Sequence, residues 1–226
     1  LLLKHRDIDV NAADIYGNTA LTACALRTES DYSVLETLIK HGADVNARKG
    51  VGWPVLHYIL INGDRKAVQF ILDQGADVRA QGGHHGENAL HVAARCGNKD
   101  AMQMLLERGV DINIRDKDGR TPLHYDVEQN GLSVRFLLDN GADINARDKE
   151  GRTPLIACVR NATQLWFMST FTRLLERGAD PNARDINGHT ALWYFLHTGP
   201  DSKGGVQWDG KKDAAIELLK KYGGKL

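Results

Sequence analysis

Within Asp116–Gly131, DKDGRTPLHYDVEQNG, an imidazole (His124) and a carboxylate (Asp126) lie two residues apart, just after a Thr-Pro pair. Groups of these types can move a proton, the carboxylate orienting the histidine and the histidine acting as base. A second candidate is His84-His85 in the stretch AQGGHHGEN (80–88), where adjacent imidazoles raise the question of a metal. Spacing argues against both. Residues two apart on a helix do not face each other, so His124 and Asp126 cannot work as a dyad. His84-His85 has no further clustered ligands around it, so a solvated or partner-contacting turn is expected rather than a metal site. Cys24, Cys96 and Cys158 are 72 and 62 residues apart and form neither a ligand cluster nor an even-numbered disulfide framework. Reduced thiols point to an intracellular setting, cytoplasmic or nuclear. The triplet Asn161-Ala162-Thr163 is then an accidental glycosylation match.

Composition narrows the partners. Lys plus Arg and Asp plus Glu each number 29, so the 226-residue chain is formally neutral. A balanced chain lacks the electrostatic footprint of a nucleic-acid or anionic-membrane binder, and neither partner is expected. No apolar run reaches the length of a membrane span. The opening LLLKHRDIDV is too short and too soon charged for a signal peptide. It lacks an initiator Met, so an origin inside a longer protein is expected.

The elements that must position any site come from a repeat. A GADVN-like string begins at Asp7, Gly42, Gly75, Gly109, Gly141 and Gly178, in steps of 35, 33, 34, 32 and 37 residues, and a weakened copy, GGKL, closes the chain. Between these runs a second string: GNTALT from Gly17, GWPVLH from Gly52, GENALH from Gly86, GRTPLH from Gly119, GRTPLI from Gly151 and GHTALW from Gly188. Thr-Pro puts a capping hydroxyl at a helix entry and proline at its first position. A short first helix follows, as in Leu90–Asn98, then a more apolar one, as in Asp100–Gly109, closed by a glycine suited to a left-handed cap. ADVNARKGVG and its copies make an extended out-and-back tip. No unit has enough apolar surface to close on itself, so each must stack on its neighbours.

Repeated T-P-L-H at a spacing near 33 resembles the ankyrin repeat family over nearly the whole chain. The resemblance implies an all-α solenoid: stacked helix-turn-helix pairs with projecting β-hairpin tips, about six repeats plus a partial N-terminal one. The whole chain reads as one domain. Residues 1–13 end a partial repeat; 14–48, 49–81, 82–115, 116–147 and 148–184 are repeats; 185–226 is a capping repeat with an insertion at 199–210. In this family the T-P-L-H histidine is structural, bonding near the helix entry and tying adjacent repeats, which gives His57, His91 and His124 that role. A catalytic group would have little reason to recur three times. Asp126 shares a slot with Ala93, Cys24 and Cys158, where small residues pack; a carboxylate there is expected to bond to nearby backbone or to a neighbouring Arg. Cys24 and Cys158 are core fillers by the same logic.

Departures from the repeat are where function is sought. The fourth unit is one residue short, which compresses the turn at Asn130-Gly131. The fifth gains four residues in Arg160–Phe171, about one helical turn, and Leu165, Trp166, Phe167 and Phe171 are expected to cover extra core rather than form an exposed patch. The insertion 199–210 reads as a Gly-rich loop, with Trp208 docking near Trp193, Tyr194 or His197 or else waiting as a partner anchor.

The function implied by the resemblance is recognition of another protein or peptide segment through a concave face, or groove, of hairpin tips and first helices. The residues expected to carry it are Tyr16, Trp53, Tyr58, His84, His85, Glu87, Arg120, Tyr125, Arg152, His189, Tyr194 and Trp208, since interfaces draw most of their energy from buried Trp, Tyr and Arg. The competing role for the tyrosines is to fill space between first helices. No cofactor and no metal is expected, and no nucleophile–base pair is visible. The alternative is a substrate-delivery or scaffold part of an enzyme whose catalytic residues lie upstream or, within the groove, among Asp126, His197 and the tyrosines.

Overall fold

A computed structural model describes residues 8–27, 32–49, 52–62, 64–160, 167–197 and 211–225. Its packing divides the chain into two compact units, Leu1–Val110 and Asp111–Leu226, where the repeat pattern alone reads as one continuous domain. The first unit contains α1 (Ala20–Ala25), α2 (Tyr32–Lys40), α3 (Val55–Asn62), α4 (Arg65–Asp73), the short strands β1 (Gln81–Gly82) and β2 (Glu87–Asn88), α5 (Ala89–Arg95) and α6 (Lys99–Glu107). The second contains α7 (Pro122–Gln129), α8 (Val134–Asp139), α9 (Pro154–Arg160), α10 (Phe167–Glu176), α11 (Ala191–His197) and α12 (Lys211–Lys221).

Within each unit, first helices stack on first helices (α1, α3, α5; α7, α9, α11) and second helices on second helices (α2, α4, α6; α8, α10, α12). The apolar spacing explains the layers. In α6, Ala101, Met102, Met104 and Leu105 are buried while Gln103 and Glu107 face water, the stripe of a one-sided helix. First helices of six to eight residues are too short to persist alone. Their leucines, Leu21, Leu56 and Leu90 in one unit and Leu123, Leu155 and Leu192 in the other, lie in the core. Phe167, Phe171 and Phe195 form a buried trio with centroids 5.2–5.7 Å apart. Two of the four aromatic and aliphatic residues of the fifth-repeat insertion are thus core, while Leu165 and Trp166 lie outside the described residues.

An asparagine ends every GADVN-like string but the one from Gly75, which ends in Arg79, and sets the stacking register. Asn11 Nδ2 donates to the Gly42 carbonyl (2.9 Å) and its Oδ1 accepts from the Asp44 N–H (2.7 Å). Asn113 does the same with Gly141 (3.1 Å) and Asp143 (2.7 Å), and Asn182 with Gly223 (2.9 Å) and Lys225 (2.8 Å). Each amide reaches the glycine that caps the next second helix, where φ is positive, as at Gly42 (89°). This glycine satisfies the helix end in the left-handed conformation.

The tips differ from the predicted β-hairpins. Among the described residues only the tip at 81–88 has paired strands, with Gln81 opposite Asn88 and Gly82 opposite Glu87. A lone bridge joins Arg48 to Pro54. The others are closed by an aspartate. Asp116 Oδ1 accepts from the N–H groups of Asp118 and Arg120 (2.8 Å each), and Asp14, Asp148 and Asp185 repeat the pattern. The carboxylate does the work of a strand ladder within a turn too short to hold one.

The shortened fourth repeat turns sharply between α7 and α8, where Gly131 adopts φ 62°. A Cβ on Gly131 would run into the Oγ1 of buried Thr170. Gly131→Ala combines left-handed strain with this clash and is expected to destabilise the chain by more than about 2 kcal/mol. Urea denaturation checks this, with Gly141→Ala (open space around its Cβ position) costing less.

Candidate partner-binding surface

In the first unit the entry of α3 and the strand-paired tip enclose a cleft of ≈ 480 Å³, lined by Gly52, Trp53, Tyr58, Gly83, His84, His85, Glu87 and Arg95. Five residues singled out from the sequence therefore meet here. Trp53 is the platform. Its ring lies across the backbone of Gly82 and Gly83; a Cβ on Gly82 would sit 2.7 Å from its Cδ1, and one on Gly83 would strike its Nε1. Both glycines are needed for this approach, and Gly83 also has φ 70°. Tyr58 stands beside the ring at 5.8 Å, and the Arg95 guanidinium lies 5.0 Å from its centroid, within the range of a cation–π contact. Trp53 and Tyr58 are half-buried, and His84 and His85 are exposed.

Glu87 is a correction to the expected contact surface. It is buried and bonds Arg95 Nη1 at 3.0 Å, holding the guanidinium over the indole. Tyr125 and Arg152 are corrected likewise. Tyr125 is 6% exposed and donates to Asp116 Oδ2 at 2.8 Å, so it ties helix to tip, a role the sequence reading did not foresee. Arg152 is 4% exposed and spans Asp148 (2.7 Å) and Glu150 (2.6 Å). Arg120 is half-buried against Glu128 at 3.3 Å.

Other expected contacts stay at the surface. Tyr16 is 71% exposed on the first tip, beside Ile15. His189 stacks on Trp193 at 3.5 Å and Trp193 on His197 at 4.5 Å, with Tyr194 at their edge. Tyr194 donates to Asp185 Oδ2 at 2.6 Å, and burial together with that carboxylate pushes its phenol up to about 12. Trp208 and the 199–210 insertion lie outside the described residues.

The three histidines are buried and face backbone. His57 Nε2 lies 3.0 Å from the Glu87 carbonyl, and His124 Nε2 3.1 Å from the Arg152 carbonyl, each in the following tip. His124 Nδ1 accepts the Thr121 N–H at 3.2 Å, so its own proton sits on Nε2 and is donated to Arg152. His91 Nδ1 accepts the Asn88 N–H at 3.2 Å. At His57 the capping position is Pro54, which has no N–H, and Nδ1 is buried without a hydrogen bond. Asp126, fully buried, accepts the Ser133 N–H at 2.9 Å, linking α7 to the start of α8. It raises the pKa of Cys158 beyond what burial alone does, the reverse of what a nucleophilic thiol needs.

Two residues at or beside the cleft were not anticipated. Arg95 ends a first helix in the slot that holds Leu26, Ile61, Glu128, Arg160 and His197 elsewhere, and that variation was its signal. Lys49 occupies the tip slot that holds aspartate in four other repeats.

Within each unit, short helix pairs are joined by side chain-to-backbone bonds and carry aromatic residues at their tips, the arrangement of a repeat protein. Family models described as ankyrin repeats (3 copies) match residues 47–116 and 108–185, and a single ankyrin repeat matches 16–50, so the chain belongs to the ankyrin repeat family. Ankyrin repeats are protein–protein interaction modules. Among similar proteins, human Rabankyrin-5 is 32% identical over 130 residues, 52% of this chain and 11% of its own length. The potassium channel AKT1 of Oryza sativa subsp. indica is 35% identical over 68 residues, 30% of this chain and 7% of the channel. The nuclear factor NF-kappa-B p105 subunit of Gallus gallus is 32% identical over 120 residues, 51% of this chain and 12% of that protein. The chain thus spans about a tenth of each relative.

Burial pushes His57 and His124 down to about 4, against the carbonyl bonds that favour the charged form. The unfolded chain takes up these protons near pH 6.5, well before the folded chain does. Stability from both rings is therefore present above pH 6.5 and lost as pH falls toward 4, by roughly 3 kcal/mol each at the limit. Urea midpoints measured across that window should fall with pH. His124→Gln, which keeps a donor for the Arg152 carbonyl but does not titrate, should remove about half of the fall.

Proposed function

We propose that this chain binds a protein or peptide segment through tips and first helices, and that the Trp53–Tyr58 cleft of the first unit is its principal contact. The observation that carries the reading is the cleft itself. A large aromatic platform is fixed against two glycines and backed by Arg95, so little conformational freedom is lost when a partner covers it. Tyr16 and the His189–Trp193–His197 stack are secondary contacts of the same chemistry. Formal neutrality favours a protein partner over nucleic acid. No helix among the described residues is long and apolar enough to cross a membrane. Cys24, Cys96 and Cys158, none of them in a disulfide, support a reducing compartment, cytoplasm or nucleus.

Truncating a buried aromatic anchor commonly costs about 2 kcal/mol or more. For a partner captured by the full chain, Trp53→Ala and Tyr58→Ala should each weaken affinity by at least about 30-fold in calorimetry. Lys66→Ala, exposed on the second-helix layer, should leave it unchanged. Wild-type affinity in both cleft variants would move the site elsewhere on the chain.

A further inference from the structure

The slot that opens each tip holds Asp14, Lys49, Gly82, Asp116, Asp148 and Asp185 in turn. Where it is aspartate, one oxygen gathers backbone N–H groups and the other takes a side-chain donor. Asp116 Oδ2 takes the phenol of Tyr125, and Asp185 Oδ2 that of Tyr194, nine residues on in both cases. Asp148 takes Arg152 Nε, and Asp14 takes Asn18 Nδ2. Tyr58 stands nine residues after Lys49. Its tip has no carboxylate to receive the phenol, and an ammonium-bearing residue occupies the place.

Burial raises the pKa of Tyr58, against the opposing effect of the Trp53 backbone, so the phenol keeps its proton at neutral pH and has it to donate. Gly52 keeps the approach open, since the position of a Cβ there is 3.7 Å from the Tyr58 hydroxyl. The charges around the cleft are Arg48, bonded to the Gln81 carbonyl, Lys49, which also acts on the Asp14 carboxylate of the preceding tip, Arg95, and Glu87, which is buried and paired with Arg95 at 3.0 Å. Three cations against two carboxylates leave an excess of positive charge, beside a phenol donor and a half-buried aromatic ring.

We propose that this cleft is a carboxylate receptor. An Asp or Glu side chain within a partner segment takes the place of the missing tip aspartate, accepting from Tyr58 and pairing with Lys49. An apolar neighbour in the same segment lies on Trp53. The inference rests on the recognition reading above and adds to it the chemistry of the partner. A hydrogen bond to a charged group, inside a cleft that already excludes part of the solvent, contributes more than an exposed ion pair would.

The test uses a bead library of acetylated, C-terminally amidated random octapeptides sorted with the labelled full chain, so that every carboxylate is a side chain. Enriched peptides are expected to carry Asp or Glu beside an apolar residue. Replacing that acid by its amide should weaken binding, read by fluorescence anisotropy, about tenfold or more. Lys49→Asp supplies the carboxylate from within. It should raise the urea midpoint by re-forming the strut seen at Asp116 and Tyr125, and weaken the acidic peptides by a similar factor. Tyr58→Phe should weaken them while the chain stays folded. Winners without a carboxylate, equal binding by Lys49→Asp, or no enrichment over Lys49→Asp would overturn the receptor. The recognition reading still stands if Trp53→Ala weakens whatever peptides are enriched, and falls with it if Trp53→Ala binds them as tightly.

Discussion

No helix pair in this chain can enclose its own apolar side, and the bonds that carry one repeat to the next follow from that constraint. An asparagine amide presents a donor and an acceptor at fixed spacing, and the next repeat offers a helix-capping carbonyl and the N–H two residues on. Asn11, Asn113 and Asn182 each make both bonds. Because the two partners lie on one backbone segment, the amide fixes translation and rotation together. Leu21, Leu56 and Leu90 then come into a single line, as do Leu123, Leu155 and Leu192. Surface lost to water by one leucine is covered by its neighbour, which an isolated pair could not achieve.

The tip carboxylate is the second device, and its use divides the repeats into closed and open ones. Where aspartate is present, backbone donors, a phenol or a guanidinium converge on it, and tyrosine becomes part of the frame. Where Lys49 and Gly82 replace it, the frame is completed by other means: the lone Arg48–Pro54 bridge at one tip and a two-residue strand pair at the other. The departures coincide with the cleft. Local structure is satisfied less fully there, and surface chemistry is gained, as expected where a scaffold gives up regularity for binding.

The histidines illustrate why residue type alone misleads about chemistry. His124 is held between an amide that only donates and a carbonyl that only accepts, which selects one neutral tautomer and leaves no lone pair for catalysis. Its burial makes the charged form costly, so the ring acts as a rigid two-ended connector. His57 keeps one of the two bonds. Proline at the capping position removes the other, and the packing of Trp53 at 5.9 Å covers the ring instead.

The repeat period, the helix pairs and the capping glycines were legible in the amino-acid order, because each depends on contacts within a few residues or on a spacing repeated along the chain. The role of the T-P-L-H histidines was implied only by the family resemblance, since their carbonyl partners lie about thirty residues away. Trp53, Tyr58 and the paired histidines at 84–85 could be marked as large or irregular residues in a variable slot. What the order could not decide was which marked residues face inward. Tyr125 and Tyr58 occupy equivalent positions, yet one is an internal strut and the other lines a cleft, according to whether a carboxylate nine residues earlier reaches it. Glu87 became a buried partner of Arg95 only through the approach of Trp53 to the Gly82–Gly83 backbone. That approach joins residues some thirty positions apart. Such pairings depend on how two repeats dock, and docking is settled by packing and junction bonds in three dimensions rather than by any local run of residues.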